Sequence, residues 1–403
     1  MNSCAKCGAC SVVCPVYRVT GQEAHTARGK IHLTQIPELH GKGIVFEDIF
    51  SKCLLCGACS MVCPRGIDVC GEVVDARAAF PAIYGDHGYE KYLARKALAH
   101  PETLSALRVL GRVGAELLSR HLPQESGLRL RLALFQQDVG AIPVLPVQKN
   151  TFPDDLQLKG PLAYFPGCAA HYLFPDIATS CYSLAAGLGY ALYVPDDLSC
   201  CGLAALSAGD RREAQRHARK NIIALEQNTG LILVSCASCY AHLLRYVDLF
   251  PDDQLWLSKA EALSARLLEF NRFLDQHLPP GLENQIVMGK KVRVYYHDPC
   301  HFRHGLRIIE EPRQVIGHNP DLELVELPGG PECCGQGGLF HIGVPDISAV
   351  IRDTLAAKVL ALRPDVITST CSGCLMQWRL AVDVAGSRVQ VLHLAELLGA
   401  DTN

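Results

Sequence analysis

A Cys-Cys-Gly triplet stands at residues 200–202 and again at 333–335, each time inside the same larger cysteine pattern. Cys168 precedes Cys200-Cys201 by 31 residues, and 34 more lead to Cys236-x2-Cys239. Cys300 precedes Cys333-Cys334 by 32 residues, and 36 more lead to Cys371-x2-Cys374. Equivalent cysteines are offset by 132, 133 and 135 residues, so the C-terminal half is a duplicated unit. Within each copy, apolar or β-branched runs at 162–166 and 292–297 lead to the first cysteine. Similar runs at 231–235 and 366–370 lead to the CxxC pair, and residues 210–227 and 346–362 have helical composition and period. Strands alternating with helices imply a parallel sheet, whose ligand sites lie at the carboxyl ends of the strands. Gly202 and Gly335 then leave room for backbone to approach a bulky cofactor. Five sulfurs exceed the four that a zinc ion or a cubane takes. Adjacent cysteines let one backbone turn feed two neighbouring irons of a larger or distorted cluster.

The N-terminal part carries a second duplication. Cys4-x2-Cys7-x2-Cys10-x3-Cys14-Pro15 recurs as Cys53-x2-Cys56-x2-Cys59-x3-Cys63-Pro64. This is the bacterial ferredoxin run, in which three closely spaced cysteines wrap one [4Fe-4S] cubane and the fourth reaches the other. The spacing assigns Cys4, Cys7, Cys10 and Cys63 to one cubane, and Cys53, Cys56, Cys59 and Cys14 to its partner. Zinc sites favour paired CxxC without the third cysteine and the Cys-Pro. The 38 residues between the runs suggest helices at 28–35 and 45–50, broken at 41–43. That favours a helical ferredoxin type, resembling the iron–sulfur subunits of succinate and fumarate oxidoreductases. Arg28 and Lys30 either soften the negative charge of a cluster or lie on a solvated helix face. Cys70 matches neither run and reads as a buried, inert thiol, and Cys181 as core.

With 403 residues the chain has room for two or three domains. Domains are expected at 1–89 (ferredoxin), 90–158 (helical connector), 159–289 (first cysteine-rich lobe) and 290–403 (second lobe). The connector has leucines at helical spacing from Leu104 to Leu118, arginines at 108, 112, 120, 129 and 131, and prolines from Pro143 onward. It reads as an ordinary packed amphipathic helix or one that docks on a membrane surface or partner. The net charge of -3 gives no electrostatic case for nucleic acid. The 20 cysteines, without a signal-peptide pattern at MNSCAKCGAC, suggest a reduced cytoplasmic metal protein and not a disulfide scaffold. No segment approaches the ~18 uninterrupted apolar residues of a membrane span.

The paired motif Cys-x31/32-Cys-Cys-Gly-x33/35-Cys-x2-Cys resembles the CCG domain of heterodisulfide reductases. Two cubane runs followed by two CCG repeats resemble both the catalytic subunit of the membrane-linked form of that enzyme and the iron–sulfur subunits of glycolate oxidase, lactate dehydrogenase and anaerobic glycerol-3-phosphate dehydrogenase. The resemblance implies one noncubane [4Fe-4S] cluster on Cys168, Cys200, Cys201, Cys236 and Cys239, and a second on Cys300, Cys333, Cys334, Cys371 and Cys374. Both terminal CxxC pairs are complete, which leans toward two noncubane clusters and leaves disulfide chemistry open. Arg28-Gly29 and the closing 391–398 segment look more like the lactate and glycolate subunits.

Neither a nucleotide-binding fingerprint nor a Walker A sequence occurs, and Gly335-Gln-Gly-Gly is not GxGxxG. Hydride chemistry therefore needs a partner, implied to be an FAD-containing dehydrogenase subunit, with further electron-transfer subunits or a quinone-linked membrane partner beyond it. Any attachment to the inner face of a membrane would run through such partners. The function expected is electron transfer in a flavin-dependent 2-hydroxyacid (lactate or glycolate) dehydrogenase. The alternative is reductive cleavage of a disulfide at a CCG cluster. His297 and His301, near Asp298 and His304, are candidate proton donors or second-layer hydrogen-bond partners of the cluster, and His171 holds a place comparable to His301.

Overall fold

The run of strand and helix patterns folds into two four-stranded parallel sheets, one per repeat. The computed structural model describes residues 4–36, 43–99, 159–227, 229–278 and 291–399. The first lobe holds β1 (Pro161–Phe165), β2 (Ala191–Tyr193), β3 (Ile232–Val234) and β4 (Leu267–Glu269), in the order β2-β1-β3-β4. The second repeats it with β5 (Val292–Tyr296), β6 (Leu322–Val325), β7 (Val366–Ser369) and β8 (Gln390–His393), in the order β6-β5-β7-β8. Every pairing is parallel. β3 and β7 are buried along their whole length, which explains their unbroken apolar and β-branched sequences. Helices Arg211–Glu226 and Pro345–Ala361 form where the helical pattern lies, the first capped by Asp210, whose carboxylate accepts from Glu213 N. In both sheets the strand order turns about β1 or β5, which opens a crevice at the carboxyl ends of the strands.

The lobes are not packed as separate units. Each of two large apolar clusters draws on both: one joins Phe165 and Tyr246 to Tyr295 and Trp378, the other joins Tyr164 and Phe273 to Val294 and Tyr296. Across the seam Ala237 N donates to Thr370 O at 2.8 Å, and His393 Nε2 donates to Ser235 O at 2.9 Å.

Residues 4–36 and 43–99 are helical, without a strand among the described residues. The expected helices appear at Ala27–Thr34 and Ile44–Ser51, and Gly43, at φ +89°, supplies the break. A small core of Phe46, Phe50, Val69, Val73 and Ala76 holds them together, with the Phe46 and Phe50 rings stacked at 4.3 Å. Helix Gly88–Ala99 runs across the expected junction at 89/90. The rest of the connector, with its arginines and the boundary near 158, and the junction at 289/290 lie outside the described residues. No helix among the described residues is long and apolar enough to cross a membrane.

The helical domain docks on both lobes. Val16 and Leu54 pack with Phe340, Val344 and Ile351 of the second lobe. The buried guanidinium of Arg77 donates to Phe50 O, Ser51 O and Cys53 O in its own domain, and at 2.7 Å to Ser207 O of the first lobe. Gly209 (φ +87°) lies so close that a Cβ there would overlap the backbone of Arg77 and Ala78. Gly386 (φ +59°) has nothing within 4 Å of such a Cβ. Gly386→Ala is therefore expected to cost only the ~1–2 kcal/mol of a left-handed alanine. Gly209→Ala adds steric overlap and is expected to cost ~1–3 kcal/mol more. Thermal unfolding measures the difference, and equal losses in the two variants would argue against tight docking at this junction.

Candidate metal centres

Both ferredoxin-like runs follow one backbone trace. Lys6 (φ 54°) and Leu55 (φ 53°) occupy the left-handed region just before the second cysteine of each run, and Gly8 (φ 84°) and Gly57 (φ 77°) just after it. A short helix then starts in each, Ala9–Val13 and Ala58–Met61, and the two helices pack together. A non-glycine residue in this region is strained; its recurrence at matched positions marks two loops shaped to the same task. Cys14, Cys53, Cys56 and Cys59 line one cavity enclosing about 430 Å³. Cys10 lies on the first helix, Cys63 follows the second, Cys4 is half-buried and Cys7 exposed.

Cys70 lines the same cavity as Cys14 and the 53–59 loop. It is half-buried beside other cysteines and not a core thiol, which corrects its expected burial. Burial raises its pKa strongly, and the neighbouring Cys53 and Cys56 raise it further. Its single occurrence, outside either repeat, hid it from a reading based on spacing.

The two cations between the runs serve different loops. Lys30 is 2% exposed and lines the Cys14 cavity, with Nζ donating to His25 O at 2.6 Å and Lys52 O at 3.3 Å. Burial pushes its amine pKa down, while Cys53 and Cys14 pull it up. Arg28 sits at the rim of the other loop, paired with Glu23 at 2.5 Å and donating to Lys6 O at 3.2 Å. His25, in the wall beside Lys30, is pushed down to about 4 by burial and then by that ammonium.

In the first lobe the five cysteines form a run of hydrogen-bonded thiols, from Cys168 to Cys200, Cys201, Cys239 and Cys236. Cys168 follows β1, Cys236 follows β3, and the adjacent pair follows β2. Bonds accepted from Cys168 and Cys201 hold Cys200 well below the usual thiol range, and those from Cys239 and Cys371 do the same for Cys236. The Cys-Cys turn is fixed from behind. Asn221 Nδ2 donates to Cys200 O at 3.0 Å, and Tyr246 Oη donates to Cys201 O at 2.8 Å. Gly167 (φ +73°) is the glycine that makes room for sulfur, since a Cβ there would stand 2.9 Å from Cys239 Sγ. Gly202 and Gly335 serve otherwise than expected. Their Cβ atoms would meet the following helix, 3.3 Å from Ala214 O and 2.8 Å from Ser348 O, so they make room for helix packing and supply a left-handed turn.

The second lobe uses the same elements with different support. Thiol hydrogen bonds join Cys333 to Cys334, Cys334 to Cys374 and Cys374 to Cys371. Cys300 Sγ instead contacts His301 Nδ1 at 3.8 Å. His297, 1% exposed, has a ring nitrogen within 4.8 Å of the Cys334 and Cys374 sulfurs. Bonds from Cys333 and Cys374, and then from His297, hold Cys334 well below the usual thiol range. Tyr164 bonds Ser235 in the first lobe as Tyr296 bonds Thr370 in the second, so the position of His297 is taken by Phe165 in the first lobe. Asp298 is committed to a two-pronged pair with Arg313, both bonds 2.9 Å. His301 and His304 lie on a π-helical turn, His301–Leu306, that packs on helix Ala237–Leu244 of the first lobe and on the 58–61 helix of the ferredoxin-like domain. His171, on the matching turn Ala169–Leu173, is exposed against Tyr172 and has no such setting. Cys181 is fully buried, hydrogen-bonded with Tyr164 and Ser235.

The thiol sets adjoin one another. Cys56 and Cys333 flank a shared apolar cluster, and Cys236 and Cys371 hydrogen-bond across the seam. Ser238 Oγ lies 3.3 Å from Cys236 Sγ and 3.7 Å from Cys371 Sγ. All-sulfur donor sets, with a buried ammonium beside one and an imidazole beside another, fit iron–sulfur clusters.

Comparison with known proteins agrees with this chemistry. A 4Fe-4S dicluster domain matches residues 1–67, and a cysteine-rich CCG domain matches 162–244 and 294–379. The probable glycolate oxidase iron-sulfur subunit of Bacillus subtilis is 27% identical over 425 aligned positions, covering 98% of this chain and 93% of that protein. Lactate utilization protein A of an Exiguobacterium species is 30% identical over 239 residues, 59% of this chain and 96% of that protein. The Bacillus velezensis protein of the same name is 30% identical over 240 residues, 59% of this chain and 99% of that protein. With its dicluster domain and paired CCG domains, the chain belongs to the family of iron–sulfur oxidoreductase subunits that includes lactate utilization protein A and the glycolate oxidase iron–sulfur subunit.

Proposed function

We propose that the chain is the electron-transfer subunit of a flavin-dependent 2-hydroxyacid dehydrogenase, acting on lactate or glycolate, with an FAD-containing partner as electron donor and a quinone or another carrier as acceptor. The observation that carries this reading is the contiguity of the thiol sets, from the Cys14 cavity past Cys56 and Cys333 to the Cys371–Cys236 seam. Cys4, Cys7, Cys10 and Cys63 would hold one cubane and Cys14, Cys53, Cys56 and Cys59 the other, with a noncubane [4Fe-4S] cluster on each five-cysteine set. When bound, such clusters take up and return single electrons.

The protein's own residues tune and hold these sets. Lys30 and Arg77 place buried positive charge beside the Cys53 loop, which favours a more negative, reduced state there. Asn221 and Tyr246 fix the first Cys-Cys turn, so its sulfurs keep their directions when charge changes. His297 serves Cys334 by hydrogen bonding, and at 1% exposure it is a positioning residue and not a proton donor to an outside substrate. His301, half-buried between the seam and the ferredoxin-like loop, holds Cys300 in the same manner.

A second reading, reductive cleavage of a disulfide, is favoured by the complete CxxC pairs and by the Cys236–Cys371 contact. Both of those cysteines are 5% exposed, which leaves a disulfide substrate little access to them. Turnover of a heterodisulfide by the isolated chain with a reduced dye would reverse the ranking.

Iron and acid-labile sulfide analysis of anaerobically purified protein is expected to give about sixteen irons per chain. About eight would overturn the noncubane assignment, and Cys201→Ser should remove iron without disturbing the cubane spectra. Removing the buried charge by Lys30→Met is expected to lower the midpoint potential of one cubane by on the order of 100 mV, from Coulomb energies at an effective dielectric near 20. A redox titration followed by electron paramagnetic resonance reads this directly, and an unchanged potential would sink the electrostatic role of Lys30.

A further inference from the structure

A second cavity, distinct from the thiol sets, lies where the ferredoxin-like domain meets both lobes. It encloses about 500 Å³, part of it open to solvent, and its walls come from residues 51–95, 207–208 and 337–344. Arg77, Lys91 and Arg95 line it, and none of its lining residues is acidic. Arg95 is 8% exposed, and its nearest carboxylate, Asp210, is 3.9 Å away. The Lys91 ammonium rests 4.1 Å above the Tyr84 ring and has no carboxylate partner among the described residues. Ser51, 7% exposed, lines the same space with a hydroxyl that has no hydrogen-bond partner. A Cβ placed on Gly85 (φ +67°) would stand 2.5 Å from that hydroxyl and 3.5 Å from Lys91 Nζ, so the two polar atoms lie near one another beside this glycine.

A buried hydroxyl without an acceptor is costly unless something pairs with it, and the half-buried Lys91 ammonium beside it has only the Tyr84 ring. The Lys91 amine is pushed down to about 8 by burial and then by Arg77, against a smaller upward pull from Asp86. An anion relieves both conditions, since it accepts hydrogen bonds and offsets the cations. Leu339, Phe340 and Val344 add apolar side chains to the lining. A ligand with an anionic head and a short carbon body matches this mixed lining.

We infer that this junction cavity binds a small organic carboxylate, with Lys91 and Ser51 as its direct partners. Because Cys53 also lines the cavity, the bound anion lies beside the second ferredoxin-like thiol set. Occupancy therefore disfavours added negative charge on that set, and reduction weakens binding by the same factor. The site would then report the level of its ligand to the electron-carrying centre.

Isothermal calorimetry of the anaerobically purified protein with pyruvate, L-lactate, glycolate and inorganic phosphate tests this without reference to turnover. The expected result is saturable binding of at least one of the three carboxylates, with a Kd of about 1 mM or tighter. Phosphate binding as tightly as every carboxylate would overturn the organic-acid assignment, and no saturable heat with any of the three would overturn the site. Lys91→Met is expected to weaken binding about tenfold or more, as loss of a charge-assisted bond implies. Ser51→Ala, a smaller change, should weaken it several-fold, so that a poorly folding Lys91 variant does not leave the test idle. Unaltered affinity in both, at normal iron content, would refute the proposal. In the wild-type chain, a saturating concentration of the binding carboxylate should lower the potential of one cubane, and Lys91→Met should abolish that shift.

Discussion

Arg77 donates to four carbonyl oxygens, three in its own domain and one in the first lobe, and no carboxylate among the described residues pairs with it. Carbonyls satisfy its N–H groups but leave its charge uncompensated. A buried guanidinium without a counter-ion is costly in an ordinary core. Lys30 repeats the arrangement, with carbonyl acceptors and no buried acid. Both cations surround the loop that carries Cys53, where cluster-bound thiolates would supply the missing negative charge. The same contacts lock the domain to the lobe, and charge compensation and domain docking become one interaction.

The duplicated lobes show how far one scaffold can diverge while its sulfur ligands stay in place. Strand order, the π-helical turn after the first cysteine and the Cys-Cys-Gly turn all recur. The surroundings do not. Asn221 and Tyr246 brace the first turn, whereas Ser348, held by Gln377, donates to Gly335 O in the second. Phe165 packs where His297 hydrogen-bonds. Sulfur geometry follows from strand ends and turns, while the electrical environment follows from single side chains that can change independently.

Much of this was legible before the structure. Parallel strands ending at cysteines, helices at 210–227 and 346–362, and the helical character of the ferredoxin-like domain all follow from periodicity, because burial on both faces of a sheet leaves an unmistakable apolar run. The five cysteines of the first lobe, named from spacing, make one hydrogen-bonded run. Spacing could not reveal which glycine faces sulfur. Gly167 precedes a cysteine in one lobe and is replaced by Pro299 in the other, so its role depends on how closely the CxxC helix approaches. Nor could it reveal Cys70, Arg77, Asn221 or Tyr246. Each acts through tertiary contact with residues well separated in sequence, and none sits in a repeated pattern.

The seam between the lobes has a bearing on how the protein is assembled. Cys236, Cys239, Cys371 and Cys374 are each 5–6% exposed, and the apolar clusters around them are shared by both halves. Iron and sulfide bound for these thiols would have to pass through that shared packing. Clusters on these thiols would then have to be loaded before or during closure, which would couple cluster assembly to the packing of the two lobes as a pair.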